Sequence, residues 1–317
     1  MKKIVLTFTF ALSFILGAAF AQDAPQREIT RIAGDLYRFQ NNFHFSVLLV
    51  TPEGIIATDP INADAAQWLK EQVAEQFGQP IKYVIYSHDH ADHISGGEVF
   101  KADGAIIVAH DNAKDDIIGE GRATAVPDVT FNDELTIELG GKVVELHYVG
   151  RNHSDNSLVM HFPEERTVFI VDFIPTGKAL PFMDLPDSYL PDWIESIEAV
   201  EAMDFDILAP GHGALGTKED VTAMKNYMQD LYDAVLEQAQ AGKTLEETMA
   251  AVKLEQYADW AQYADWLPLN IEGAYTRIQL QRRGISISRL DSRHRCHHLG
   301  RRSTFALVKS RIRIGPV

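Results

Sequence analysis

The sequence predicts an α/β domain whose sheets are covered by helices. Three observations carry that prediction. Short runs rich in Val, Ile and aromatics alternate with amphipathic runs, Gly and Pro stand at most of the junctions, and no internal repeat or low-complexity linker interrupts the 317 residues. At 46% apolar and 23% charged, the chain can bury one large core or two modest ones.

In chain order, LYRF (36–39), SVLLVT (46–51), GIIATD (54–59), KYVIYS (82–87) and AIIVAH (105–110) read as strands. ELTIEL (134–139), KVVELHYV (142–149), SLVMHF (157–162), RTVFIVD (166–172) and FDILAP (205–210) follow with the same signature. Residues 63–78, 191–203 and 217–242 place apolar side chains three and four apart and read as amphipathic helices. A further helix is expected over 244–266, opened by Thr244 with Glu247 three residues later, the spacing of a capping box. The order of elements alone leaves the topology open.

The ends differ from the middle. Lys2 and Lys3 precede an uncharged apolar run to Phe20, and Ala19-Phe20-Ala21 supplies a small-x-small site, so 1–21 reads as a secretory signal. The run is short for a membrane span, which needs about 20 apolar residues. A periplasmic or secreted protein starting near Gln22, with no lasting membrane association, is the expectation. With one cysteine, Cys296, it cannot rely on an internal disulfide. The expected domain runs over 22–281. The last stretch, 282–317, is basic and without helical or strand periodicity, and is expected to be disordered or non-native. Truncation after Arg283 should then leave folding and activity intact. His294, Cys296, His297 and His298 allow the other reading, a metal-binding or anionic-surface tail. The net charge of −16 argues against nucleic acid and for a small-molecule substrate, since nucleic-acid binders concentrate positive charge on one face.

The chemistry is concentrated in SHDHADH, Ser87 to His93, directly after the strand KYVIY. Imidazole and carboxylate are natural zinc ligands, and a catalytic zinc keeps three protein ligands and one open position. If the segment stays extended, His88 and His90 lie on one side and supply two ligands to one ion. Asp92 and His93 follow a turn and suit a second ion or a base. His153, between two strands, and His212, in PGHG just past a strand, fit the missing places. Asp172 ends an otherwise apolar strand, where a lone carboxylate requires a partner. Each of these alone is more often structural than functional. Together, five strand ends carrying His or Asp reverse those odds.

These residues resemble the metallo-β-lactamase superfamily. His88, His90, Asp92 and His93 match its H-x-H-x-D-H signature, and His153, Asp172 and Pro210-Gly211-His212-Gly213 follow in the expected order. IIATD, ending at Asp59, is similar to the family's first motif, a buried acid supporting the ligand loop; a strand cap is the plainer reading of Asp59. The resemblance covers residues 28–240. It implies an αββα sandwich with the site at one edge, between the sheets. It also implies that His88, His90 and His153 hold a first Zn2+, that Asp92, His93 and His212 hold a second, and that Asp172 bridges them. Phe43 and His44 fall where the family often has a hairpin over the pocket. Asn156 reads either as an orienting residue or as a loop stabiliser, and Lys178 as a displaced pocket lysine. His110 matches no ligand position, and His147 and His161 read as surface or packing residues.

The mechanism expected from this set is metal-assisted hydrolysis. Two cations about 3.5–4 Å apart share a water and polarise the scissile bond, with Asp92 as both ligand and holder of the hydroxide. No serine or cysteine stands in a nucleophile setting. A β-lactamase-like enzyme opening a cyclic amide is the first expectation, because β-lactams are met in the periplasm. An exported lactonase or esterase, or a thioesterase or phosphodiesterase of the same fold, is the alternative. A non-catalytic metal-binding module is the reading from another class.

Overall fold

The structure, a computed structural model, describes residues 24–183, Leu185 and 189–282. The expected secretory signal and the basic tail beyond Arg282 lie outside the described residues. Among the described residues, twelve strands form two sheets. The first contains β1 (Arg27–Ala33), β2 (Leu36–Asn41), β3 (His44–Thr51), β4 (Gly54–Thr58), β5 (Ile81–Ile85), β6 (Ile106–His110) and β7 (Val129–Phe131) in that spatial order. β1 to β4 pair antiparallel and β4 to β7 parallel. The second sheet holds β8 (Glu134–Leu139), β9 (Lys142–Tyr148), β10 (Leu158–Phe162), β11 (Thr167–Ile170) and β12 (Ile207–Pro210). It is antiparallel from β8 to β11, with β12 parallel to β11.

The period-two alternation of a strand sends successive side chains to opposite faces, and here it sorts the apolar residues into three layers of core. Val47, Leu49, Ile56 and Ile85 of the first sheet meet Leu146, Leu158, Met160 and Phe169 of the second. Their neighbours Leu48, Ile55, Val84 and Ile107 face outward, against α1 (Ala63–Phe77), with Phe100 of α3 (Gly97–Lys101) and Ile117 of α4 (Asp111–Glu120). Α2 (Ala91–Ile94) is a single turn beside them. On the far side, Val159, Val168 and Ile170 pack against α5 (Leu190–Glu201), α6 (Lys218–Gln240) and α8 (Tyr263–Arg282). Helix, sheet, sheet, helix is the αββα order that the resemblance implied.

The expected helix over 244–266 is broken. Α7 (Leu245–Ala251) does open with the Thr244–Glu247 capping box, but it stops before Val252. Leu254 and Gln262 adopt positive φ, at 47° and 66°, and α8 begins only at Tyr263. Between them Tyr257 and Trp260 turn inward onto Tyr227 of α6, with ring centroids 5.1 and 5.7 Å away. Burial of two aromatics outweighs continuation of the helix.

Two backbone hydrogen bonds join the sheets directly. Leu158 N donates to Ser87 O at 2.8 Å, and Phe45 N donates to Gly211 O at 2.8 Å. They flank the edge at which the ends of β4, β5, β11 and β12 and the loop between β9 and β10 converge.

Candidate metal centre

The site assembles from those strand ends. Β5 ends at Ile85, and the chain then carries Ser87, His88, Asp89 and His90 in an irregular turn before α2 places Asp92 and His93. His153 comes from the loop between β9 and β10, Asp172 stands two residues past β11, and His212 two past β12. Asp172 adopts φ 67°, a left-handed conformation that Asp tolerates better than most residues. The sharp turn sets its carboxylate back toward the strand ends. Gly211 leaves room for this: a Cβ there would fall 2.7 Å from Val171 Cγ1.

The structure brings together all seven residues assigned above to metal binding. Asp172 Oδ2 lies 3.5 Å from His88 Nε2, 3.4 Å from His153 Nε2 and 3.3 Å from His93 Nε2. Its Oδ1 lies 3.3 Å from His212 Nε2. His153 Nε2 faces His90 Nδ1 at 3.0 Å, and His212 Nε2 faces His93 Nε2 at 3.2 Å. The donors form two groups, each with one donor atom per residue and all donors within 4.8 Å. One is His88, His90, His153 and Asp172; the other is His44, Asp92, His93 and His212.

Whether these donors suit a cation can be judged from their own atoms. Buried polar atoms are normally hydrogen-bonded, and an orphan among them requires another partner. His88 Nε2 is buried with no hydrogen bond, while its Nδ1 contacts Ser87 Oγ at 2.9 Å. Ring nitrogens facing each other at 3.0 and 3.2 Å are an arrangement that a shared cation would satisfy. Two sets of three imidazoles and a carboxylate are borderline-soft ligand sets of the type zinc takes. The residues therefore fit one metal ion per group.

The electrostatics favour the first group, while His93 of the second must release a proton to ligate. Burial lowers the pKa of His88 to about 4 and of His153 to about 3, which keeps their lone pairs free at neutral pH. Burial alone would lower His93 too, but Asp172, Asp59 and Asp92 overcome it and raise that ring to about 9. Burial acts to raise Asp172, but the surrounding imidazoles, His93 foremost, hold it well below the usual carboxylate range. Asp92 is held low chiefly by its contact with His44, 3.3 Å away. Burial raises Asp59 to about 6.

Supporting contacts fix the ligand turn. Asp59 Oδ1 accepts from Ser87 N at 2.8 Å, and its Oδ2 lies 3.8 Å from His93 Nδ1. Asn156 Oδ1 accepts from Asp89 N at 2.9 Å, and its Nδ2 donates to Asp89 Oδ1 at 3.0 Å. Asp89 is also held by Arg122, 2.7 Å away. Asn156 is buried and faces this network, so of its two sequence readings the structure favours loop stabiliser.

A cleft of about 950 Å3 opens over the two groups. Its walls include Phe43, Phe45, Ile174, Leu180, Phe182 and Trp266, and no Lys or Arg lines it among the described residues. Phe43 stands 84% exposed at the mouth. Lys178 is corrected: it lies outside the lining, and its Nζ pairs with Asp259 at 3.0 Å on the exposed side. His44 was expected over the pocket, yet its ring sits 4.6 Å from that of His212, inside the second donor group. One His after a turn carries no metal signal by itself. Only its position at the start of β3, opposite the His212 loop, supplies one.

Sequence reasoning missed Arg38. Its guanidinium, buried over the Phe45 ring at 3.5 Å, donates to Pro210 O at 3.0 Å and Gly213 O at 2.6 Å, holding the turn that presents His212. A lone Arg within a strand gives no hint of this.

Residues 57–212 match the family model of the metallo-beta-lactamase superfamily. The alpha subunit of 2,4-dinitroanisole O-demethylase from Nocardioides sp. is 25% identical over 74% of this chain and 70% of its own length. A metallo-beta-lactamase type 2 from Elizabethkingia meningoseptica is 23% identical over 63% of this chain and 84% of its own. The solved metallo-beta-lactamase from Pontibacter korlensis superposes with a TM-score of 0.59 at 21% identity, covering 64% of this chain and 99% of that one, a likeness of fold.

Proposed function

We propose, from the premise that this chain carries a metallo-beta-lactamase superfamily domain, that it is an exported dizinc hydrolase of neutral, hydrophobic esters or lactones. The observation that carries this reading is the pairing of two His/Asp donor groups around Asp172 with an apolar cleft that offers no cationic side chain among the described residues. His88, His90 and His153 would hold one ion and His44, Asp92, His93 and His212 the other, with Asp172 shared. Bound zinc supplies a Lewis acid for the scissile carbonyl and brings the pKa of water toward neutrality.

The chain's own residues do the rest. Asp92, ionised and facing the cleft, would accept a hydrogen bond from the attacking water and keep it aimed. Asp172 balances the charge of His93. Arg38 and Asp59 keep His212 and His93 in place. Phe45, Ile174 and Leu180 exclude bulk water and grip the apolar part of the substrate.

The cyclic-amide reading keeps one observation in its favour, the relatives named metallo-beta-lactamase type 2. A β-lactam antibiotic, however, brings a carboxylate, and a buried anion without a partner is costly. Lys178, paired with Asp259 on the exposed side, does not supply a cation to meet it. The Nocardioides relative is named for 2,4-dinitroanisole, an uncharged aromatic, which suits an aromatic-walled cleft. The test compares kcat/KM of zinc-loaded protein on an aryl ester and an N-acyl homoserine lactone with that on nitrocefin and a carbapenem. Faster turnover of either neutral substrate is expected, and preference for a β-lactam would reject the assignment. Fractionation should find the mature chain, starting near Gln22, outside the cytoplasm.

A further inference from the structure

A second cluster of metal-ligating side chains lies on the other side of the second sheet, away from the cleft. Glu145 and His147 alternate with the core residues Val144 and Leu146 along β9, and His161 alternates with Met160 and Phe162 along β10, so all three face the helix side. His161 sits directly across from Glu145 in the antiparallel register, and Glu134 of β8 directly across from His147. One donor atom from each of Glu145, His147 and His161 lies within 4.8 Å of the others. Glu145 Oε2 is 3.1 Å from His161 Nδ1 and 3.8 Å from His147 Nε2. Tetrahedral zinc, with ligand bonds of about 2.0–2.1 Å, spaces its donors at about 3.3 Å. The side chains are partly exposed, so an ion could reach them.

The tautomer of His161 gives the second indication. Its Nε2 lies 3.1 Å from Asp204 O. A carbonyl only accepts, so Nε2 carries the proton, and a neutral ring then points the Nδ1 lone pair straight at the Glu145 carboxylate. Two acceptors at 3.1 Å repel unless a metal ion or a second ring proton stands between them. Donation of the outer N–H to a backbone carbonyl is also how metal-bound histidines are commonly oriented. His147 has a comparable neighbour, with Glu134 Oε1 3.6 Å from its Nδ1.

We infer that Glu145, His147 and His161 form a separate structural site for a zinc-like divalent ion on the outer face of the second sheet. The ion would clamp β9 to β10 at the base of the loop that carries His153. Through Asp204 it would also tie that pair to the turn leading into β12. The inference is independent of the hydrolase reading, because it concerns binding alone.

The test uses the full chain, stripped by chelation and dialysed against micromolar free Zn2+, with metal counted per chain. Wild type should hold one equivalent more than the H147A/H161A double variant, with far-UV circular dichroism verifying the fold. Glu145→Gln, which keeps the volume, should show the same deficit and serves if the double variant fails to fold. Equal zinc in wild type and the folded variants overturns the site. Imidazole 15N NMR gives a second reading: zinc should attach at His161 Nδ1 while Nε2 keeps its proton. A His161 ring that stays doubly protonated at saturating zinc shows a plain ion pair and overturns the inference as well.

Discussion

Around Asp172 the segments that carry the imidazoles are held by neighbours that can be altered without touching a donor. Asn156→Ala frees the Asp89 turn between His88 and His90, and Asp59→Asn weakens the support behind His93 and Ser87. Each change is expected to lower zinc affinity about 10–100-fold, read by competition with a chromogenic chelator, while far-UV circular dichroism stays unchanged. Asp116, which accepts from Asn156 Nδ2 at 3.3 Å, allows a pH test one contact behind the ligand turn. Burial, then Asp89 and Asp155, raise its pKa to about 7. A carboxyl raised above its unfolded value binds extra protons in the native state, so stability is lost as pH climbs from about 4 toward 7. Asp116→Asn should therefore gain on wild type through that window and level off above it, as followed by urea midpoints at pH 4.5, 6 and 8. At this scale the sequence was most legible where density spoke, in SHDHADH, and least where one residue acted alone. His44, Arg38 and Lys178 take their roles from partners 48 to more than 170 positions away, or from a surface acid 81 positions away, and nothing local encodes that.

Elements with a clean period were readable: the apolar runs of β3 to β6 and β8 to β12, and the helices α1, α5 and α6, stand where their patterns put them. Those with mixed patterns were not. Β1, REITRIA, is a largely polar edge strand, and α4, DNAKDDIIGE, shows little more than a pair of isoleucines. Α8 conceals itself with Pro268 in its second turn, past the first turn where a missing N–H is free, so the sequence there reads as a break. Gly96 links α2 to α3 at φ 91°, and a Cβ there would lie 2.5 Å from Ala63 N. Backbone cannot give way as a side-chain tip can. Gly96→Ala is thus expected to destabilise by more than about 2 kcal/mol, visible as a lower thermal midpoint.

For the whole molecule, layering came from the resemblance more than from pattern, since alternation shows that a strand has two faces but not what covers each. The three apolar layers meet at an edge rich in histidine and carboxylate, so bound metal should stabilise the entire fold by mass action. Chelation at a starting zinc level near 100 times Kd should lower the thermal midpoint by roughly 5–10 °C. The cleft makes the complementary prediction. Phe182, 47% exposed and edge-on to Trp266 at 5.5 Å, belongs to the wall and not to the donors. Phe182→Ala should raise KM for a hydrophobic ester about tenfold, the equivalent of about 1.4 kcal/mol of lost contact, with kcat nearly unchanged; a fall in kcat alone would place it elsewhere in the reaction. Finally, the two rungs from Leu158 to Ser87 and from Phe45 to Gly211 rivet one half of the body to the other on both flanks of the centre. The jaws are thereby fixed in span. Accommodation of new guests must come from the lip, and a lineage could recast its diet by editing peripheral loops while the anvil beneath never moves.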